Sequence, residues 1–166
     1  MKNIHIARSL IEGKGVFASE PIDAHETILE IDDNRVVNEL NPLVPALGED
    51  EQHCDFLPDD TMVAMQAPEK FLNHCCEPNT YIRTYQGNRF LLAMRRLERG
   101  EELLFDYAMN AVGGGEWECR CGAECCRGVH RCDFFALPKE LRRAYLPYLD
   151  PWFVQEYADR LAESLR

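Results

Sequence analysis

Short segments in which apolar and polar residues alternate dominate the first two thirds of the chain. Such a period of two is typical of β-strands with one buried face. The predicted strands are residues 3–9, 15–19, 26–31, 80–85, 89–95 and 102–105. Gly87-Asn88 separates the fourth from the fifth and predicts a tight hairpin turn there. The pattern therefore predicts a mainly β protein.

The alternation is lost between residues 38 and 60. This stretch contains Pro42, Pro45 and Pro58 together with many acidic residues. Long irregular segments inside compact domains are often functional. We expect an irregular insert that influences specificity.

The last 30 residues change to a helical pattern. Pro138 begins one predicted helix that ends near Pro147, and Asp150 is placed to cap a second helix with Pro151 in its first position. Four apolar residues then recur every four positions: Phe153, Tyr157, Leu161 and Leu165. This stripe predicts a helical tail that packs on the rest of the protein.

Composition limits the classes of partner. The chain has 166 residues, 46% of them hydrophobic, and a net charge of −11. Such a charge opposes binding to nucleic acid or anionic membranes and favours a cationic partner, although acidity that only aids solubility explains it equally well. No apolar run of about 18 residues predicts a membrane span, and Met1 to Leu10 lacks the apolar core of a signal peptide. We expect an intracellular protein.

Most of the eight cysteines lie in two clusters, which in a reducing compartment favours metal binding over disulfides. Cys119, Cys121 and Cys126 can supply three zinc ligands from one short loop, and a fourth must come from elsewhere. Four other potential ligands have no partner at a telling spacing and are interpreted as ordinary residues. They are His53, Cys54, His130 and Cys132.

Four motifs occur in a set order along the chain. They are Gly13-Lys14-Gly15-Val16-Phe17-Ala18, Asn73-His74-Cys75-Cys76-Glu77-Pro78-Asn79, Phe105-Asp106-Tyr107 and the cysteine segment 119–128. Together they resemble the SET-domain protein lysine methyltransferases with a post-SET zinc segment, in particular small stand-alone members of prokaryotic type. The resemblance implies a β-clip fold with a pseudoknot that brings 73–79 beside 102–107. It also implies a SET domain over 1–110, a post-SET segment over 111–132 and a helical tail over 133–166.

The resemblance also implies a methyl donor, S-adenosylmethionine, and one structural zinc ion. The implied cofactor-binding residues are Gly13, Lys14, Gly15, Asn73, His74, Tyr107, Trp117 and Arg120. The implied zinc ligands are Cys76, Cys119, Cys121 and Cys126, whereas the adjacent Cys75 and Cys125 are left out. Lys70 stands where family members often have arginine, which keeps the charge but loses the planar guanidinium. Trp117 is suited equally to stacking on adenine and to packing in the core.

By the same resemblance Tyr107 is the central catalytic residue, orienting the amine and polarising the methyl group. Phe105 matches the position that sets how many methyl groups fit, and its lack of a hydroxyl predicts di- or trimethylation. The expected function is methylation of lysine in a basic protein or peptide, such as a histone-like tail, without nucleic acid or membrane as partner. The protein would be cytoplasmic in a prokaryote, or nuclear in a eukaryote. The alternative is a catalytically silent, zinc-stapled SET module that binds proteins.

Overall fold

The computed structural model describes residues 1–166 and is built from small sheets around two apolar cores. The strands are β1 (Ile4–Arg8), β2 (Lys14–Ala18), β3 (Thr27–Glu30), β4 (Cys54–Phe56), β5 (Met62–Ala64), β6 (Asn73–His74), β7 (Thr80–Tyr85), β8 (Asn88–Ala93), β9 (Leu104–Phe105), β10 (Glu116–Glu118) and β11 (Val129–Arg131). The α-helices are α1 (Lys139–Tyr145), α2 (Pro151–Glu156) and α3 (Ala158–Ser164). The predicted mainly β fold with a helical tail is confirmed.

The predicted hairpin forms the centre of the largest sheet, whose strand order is β3-β8-β7. Thr80 pairs with Ala93 at its open end and Tyr85 with Asn88 at the turn. Gly87 adopts a φ of 85°, which only glycine reaches without strain, so the turn residue identified in the sequence has the expected role. Apolar side chains from this sheet and from β2 form the first core.

A parallel pair joins two segments that are distant in sequence. Asn73 in β6 lies opposite Leu104 in β9, and His74 lies opposite Phe105. Asn79 extends the contact, because its Nδ2 donates to the Glu102 carbonyl and its Oδ1 accepts the Leu104 N–H, both at 2.8 Å. The juxtaposition of 73–79 with 102–107 is thus present as predicted.

The insert is more ordered than the sequence suggested. Two 3₁₀ turns, Pro45–Leu47 and Glu51–His53, are followed by strand β4, which pairs antiparallel with β5. The prediction of an irregular segment was wrong for β4. Arg89 explains the local order, since its guanidinium binds Asp33 and Asp55 at 2.5 and 2.6 Å and ties the insert to β8.

The tail begins as predicted but its last helix is broken. Asp150 caps α2 by accepting the Trp152 N–H, with Pro151 in the first turn. At Tyr157 the backbone leaves helical geometry (φ −108°, ψ 27°), so the apolar stripe is divided between α2 and α3. Phe153 and Leu161 from this stripe are buried in the second core. None of the helices is both long enough and apolar enough to span a membrane.

Candidate active site and metal centre

Tyr107 lies where the distant segments meet. It follows β9 in a turn and does not continue the strand. Its hydroxyl donates to the Leu72 carbonyl at 2.5 Å, and its N–H donates to Nδ1 of His74 at 3.3 Å. Burial raises the pKa of Tyr107 to about 12. The side chain is therefore a neutral hydrogen-bonding group at physiological pH.

Asn73 connects the glycine motif to this region. Its Nδ2 donates to the Lys14 carbonyl at 3.0 Å and to Oε1 of Glu102 at 2.9 Å. A Cβ on Gly15 would lie 2.1 Å from the same Oε1. Glu102 cannot simply move away, because its Oε2 also accepts the Ser9 hydroxyl at 3.0 Å. This carboxylate leaves little room for a side chain at position 15, a reason for glycine that the sequence did not reveal.

Both ring nitrogens of His74 are used inside the protein. Nδ1 accepts the Tyr107 N–H, so the proton belongs on Nε2, which lies 3.5 Å from Sγ of Cys76. Burial, followed by the neighbouring His130, lowers the pKa of His74 to about 4. The neutral ring thus links the backbone of Tyr107 to the cysteine cluster.

Four thiols converge between the Asn73–Asn79 segment and the loop that follows β10. Sγ atoms of Cys76, Cys119, Cys121 and Cys126 all lie within 4.8 Å of one another. A tetrahedral zinc with Zn–S bonds of about 2.3 Å needs sulfur–sulfur separations of about 3.8 Å. The Cys76–Cys119 separation is 3.7 Å. The set of donors fits zinc, and all four are the residues inferred from the resemblance.

Backbone N–H groups point at these sulfur atoms. Arg127 N–H donates to Sγ of Cys76 at 3.4 Å, and Cys76 N–H donates to Sγ of Cys121 at 3.5 Å. Burial by itself raises the pKa of Cys121, but hydrogen bonds from the backbone of Cys76 and Ala123 outweigh it and lower the pKa to about 6. These contacts favour the thiolate of Cys121, the form that binds a metal, whereas burial raises the pKa values of Cys76 and Cys119. Cys75 and Cys125 lie outside this group of four.

The hairpin β10–β11 brings aromatic rings to Tyr107. Trp117 pairs with His130 across the two strands, and their ring centroids are 4.7 Å apart. The His130 ring is also 4.0 Å from His74 and 5.6 Å from Tyr107. Trp117 remains 46% exposed, so the structure favours an open stacking surface over a core role. Arg120, by contrast, is exposed and pairs with Glu118.

His130 was interpreted from the sequence as an ordinary residue, and its environment is unusual. It is fully buried, its Nε2 lies 3.2 Å from Sγ of Cys132, and its Nδ1 has no hydrogen-bond partner in the protein. Burial lowers the pKa of His130 to about 4. No sequence motif marks His130, because its pairing with Trp117 across strands β10 and β11 depends on the fold.

The pKa of His130 predicts acid sensitivity. Between pH 6.5 and 4 the unfolded chain binds a proton at this residue that the folded protein does not, so the free energy of unfolding falls with falling pH by at most about 1.4 kcal/mol per unit. His130→Gln should flatten that slope. Denaturant unfolding of the zinc-loaded proteins between pH 4.5 and 7 measures this, and parallel curves for wild type and His130→Gln would contradict it.

Asp106 belongs to the Phe105-Asp106-Tyr107 motif, but the sequence assigned no role to it. Its carboxylate is fully buried and receives Nη1 and Nη2 of Arg127 at 2.7 and 2.8 Å. Oxygen and nitrogen atoms of His74, Asp106 and His130 come within 4.8 Å of one another, as metal ligands would. The Arg127 guanidinium already balances the charge of Asp106, and both ring nitrogens of His74 already have partners in the protein. We therefore interpret this group as buried polar side chains that pack together and not as a metal site.

Comparisons with known proteins agree with this geometry. Over 140 residues the chain is 29% identical to the histone-lysine N-methyltransferase trithorax of Drosophila melanogaster, covering 75% of this chain and 4% of that protein. It is 31% identical over 137 residues to the human histone-lysine N-methyltransferase 2B, covering 75% of this chain and 5% of that protein. With the H3 lysine-4 specific enzyme of Candida albicans the identity is 30% over 142 residues, covering 76% of this chain and 14% of that protein. The chain therefore spans only a small part of the length of these relatives.

The solved structure of KRYPTONITE in complex with mCHG DNA and SAH has a similar fold. The superposition covers 77% of this chain and 29% of that one, with a TM-score of 0.59 and 20% sequence identity. At this identity the likeness concerns the fold alone. A profile of the SET domain matches residues 13–108, which include the glycine motif, the Asn73–Asn79 segment and Tyr107. The chain belongs to the SET-domain family.

Proposed function

We propose that the chain is an S-adenosylmethionine-dependent protein lysine N-methyltransferase. The observation that supports this most directly is the meeting of three motifs at one place. Asn73 binds the backbone of Lys14, and the Tyr107 hydroxyl binds the carbonyl of Leu72, the residue before Asn73. The methyl donor, when bound, supplies the electrophilic methyl group itself. The chain has to align, desolvate and deprotonate the amine.

The environment of Asn73 suits the amino-acid end of the methyl donor. Its Oδ1 makes no hydrogen bond within the protein, whereas all its contacts use Nδ2. This free Oδ1 lies next to the Gly13–Gly15 backbone, where it can accept a hydrogen bond from the ammonium group of the methyl donor. Trp117, which is 46% exposed, offers an aromatic face 6.5 Å from the ring of Tyr107, and such a face attracts a cationic ligand. We assign the methyl-donor site to these residues.

Tyr107 acts as a positioning hydrogen-bond group in this proposal. With a pKa near 12 it cannot accept the proton of a lysine ammonium at neutral pH. Fewer than about one free lysine in a thousand is neutral at pH 7, so the site must favour the neutral amine. In this proposal the lysine side chain is desolvated beside Tyr107, and the loss of water disfavours the ammonium form.

Phe105 is proposed to set the number of methyl groups added. Its carbonyl accepts the Cys75 N–H at 3.0 Å, which holds the backbone that carries the ring, and the ring centroid lies 6.3 Å from that of Tyr107. Phe105→Tyr adds a hydroxyl in the space that a methylated amine needs in order to rotate before the next transfer. The ratio of trimethylated to monomethylated product should therefore fall about tenfold or more. Intact-mass analysis of a lysine peptide after exhaustive reaction measures the ratio.

The exposed Phe56 of the insert supplies the matched control. Phe56→Tyr should leave the product ratio unchanged. An unchanged ratio in Phe105→Tyr would reject the assigned role of Phe105.

The proposed substrate is a lysine in a basic protein, with a histone-like tail as the first candidate. The net charge of −11 favours a cationic partner, and the relatives named above are histone-lysine methyltransferases. Zinc-loaded protein should be incubated with recombinant histone octamers and methyl-labelled S-adenosylmethionine. Label on lysine supports the proposal. Binding of both ligands without transfer would instead support the silent interaction module.

A further inference from the structure

Three separate parts of the chain meet at the carboxylate of Asp106. Arg127, next to the inferred zinc ligand Cys126, donates two hydrogen bonds to the carboxylate and balances its negative charge. Tyr145, the last residue of α1, donates its hydroxyl to Oδ2 at 3.0 Å. Because Asp106 is fully buried, each of these donors replaces a hydrogen bond that water would otherwise make.

Asp106 in turn fixes the turn that carries Tyr107. Its Oδ1 accepts the Ala108 N–H at 3.1 Å, and its backbone carbonyl accepts the Met109 N–H at 2.8 Å. Tyr107 lies between these anchors. A shift of the Asp106 carboxylate would therefore move the backbone that positions the Tyr107 hydroxyl.

The tail that supplies Tyr145 is itself held firmly. Oδ2 of Asp150 accepts both the N–H and the hydroxyl of Thr84 in β7, at 2.7 and 2.8 Å. The Asp150 N–H donates to Oδ1 of Asn110, at the end of the Tyr107 turn, at 2.8 Å. Ala108, Met109 and Tyr145 are buried in the same core. Tyr145 thus reaches Asp106 from a rigid element and not from a mobile terminus.

We infer that Tyr145 is a positioning residue for methyl transfer, and that the helical tail is a working part of the active site although it lies outside the region matched by the SET-domain profile. The inference rests on the proposed function. Burial, followed by the charge of Asp106, raises the pKa of Tyr145, so its hydroxyl stays protonated and donates. Removing this donor loosens the Tyr107 turn without touching the residues assigned to the methyl donor.

Tyr145→Phe tests this, with Tyr148→Phe as the matched control. Tyr148 lies three residues further along the same tail, and its hydroxyl makes no hydrogen bond within the protein. With histone octamers and S-adenosylmethionine, Tyr145→Phe should lower kcat about fivefold and leave the KM for S-adenosylmethionine and the zinc content unchanged. Tyr148→Phe should behave as wild type. Equal kcat values in the two variants would overturn the inference.

A double variant separates positioning from a general loss of stability. In an Asp106→Ala background, Tyr145→Phe should no longer lower kcat, because the acceptor of the Tyr145 hydroxyl is absent. A fivefold fall in both backgrounds would also overturn the inference. If Asp106→Ala does not fold, the comparison with Tyr148→Phe still decides. An inactive wild type, in contrast, would refute the proposed function and not the role of Tyr145 alone.

Discussion

Tyr107→Phe should lower kcat at least about tenfold while binding of S-adenosylmethionine is largely retained. The substitution removes the hydroxyl that donates to Leu72 at 2.5 Å, and with it the group proposed to orient the amine. It leaves the ring and the Tyr107 N–H that binds His74. Steady-state kinetics with histone octamers, together with calorimetric titration of the methyl donor, separates turnover from binding.

The matched control is Tyr85→Phe, in the exposed end of the β7–β8 hairpin. It should leave both quantities unchanged. If Tyr107→Phe kept wild-type kcat, the hydroxyl would have no part in the reaction. A large loss of methyl-donor affinity with unchanged kcat would assign Tyr107 to binding alone.

Cys126→Ser should remove the zinc ion and abolish methyl transfer. The apparent free energy of binding zinc to four thiolates is on the order of 10 kcal/mol, comparable with the stability of a whole domain. Its loss should release the loop from Cys76, and with it Arg127, whose N–H and guanidinium contact Cys76 and Asp106. Atomic emission should find about one zinc per wild-type chain and much less in the variant.

The adjacent Cys125 provides the control, because it is exposed and lies outside the four-sulfur group. Cys125→Ser should keep the zinc content and the activity. Retention of zinc by Cys126→Ser, or its loss from Cys125→Ser, would contradict the assignment of Cys126, and not Cys125, as the zinc ligand. Full activity after complete removal of zinc would contradict the structural role of the ion.

The motifs were predictable from the sequence because their residue types and order are distinctive. Asn73, Tyr107 and the four cysteines required no knowledge of the packing, and the fold brings them together as the resemblance implied. The β7–β8 hairpin was equally accessible, since its alternation and turn glycine are local features.

The supporting residues were not predictable in this way. Glu102 and Asp106 are common acidic residues in sequence, and their roles depend on partners between 21 and 93 positions away. His130 and Tyr145 carry no motif, and only tertiary packing places them at the site. The order within the insert was missed for the same reason, because Arg89 of β8 supplies it from outside the segment.

The central claim is that the chain transfers methyl groups to lysine. Its most direct test is mass spectrometry of histone octamers incubated with zinc-loaded protein and S-adenosylmethionine that carries a deuterated methyl group. Wild type should add deuterated methyl groups to lysine side chains, and Tyr107→Phe should add far fewer in the same time. Absence of deuterated methyl-lysine with wild type, across the octamers and a panel of lysine-rich proteins, would contradict the claim.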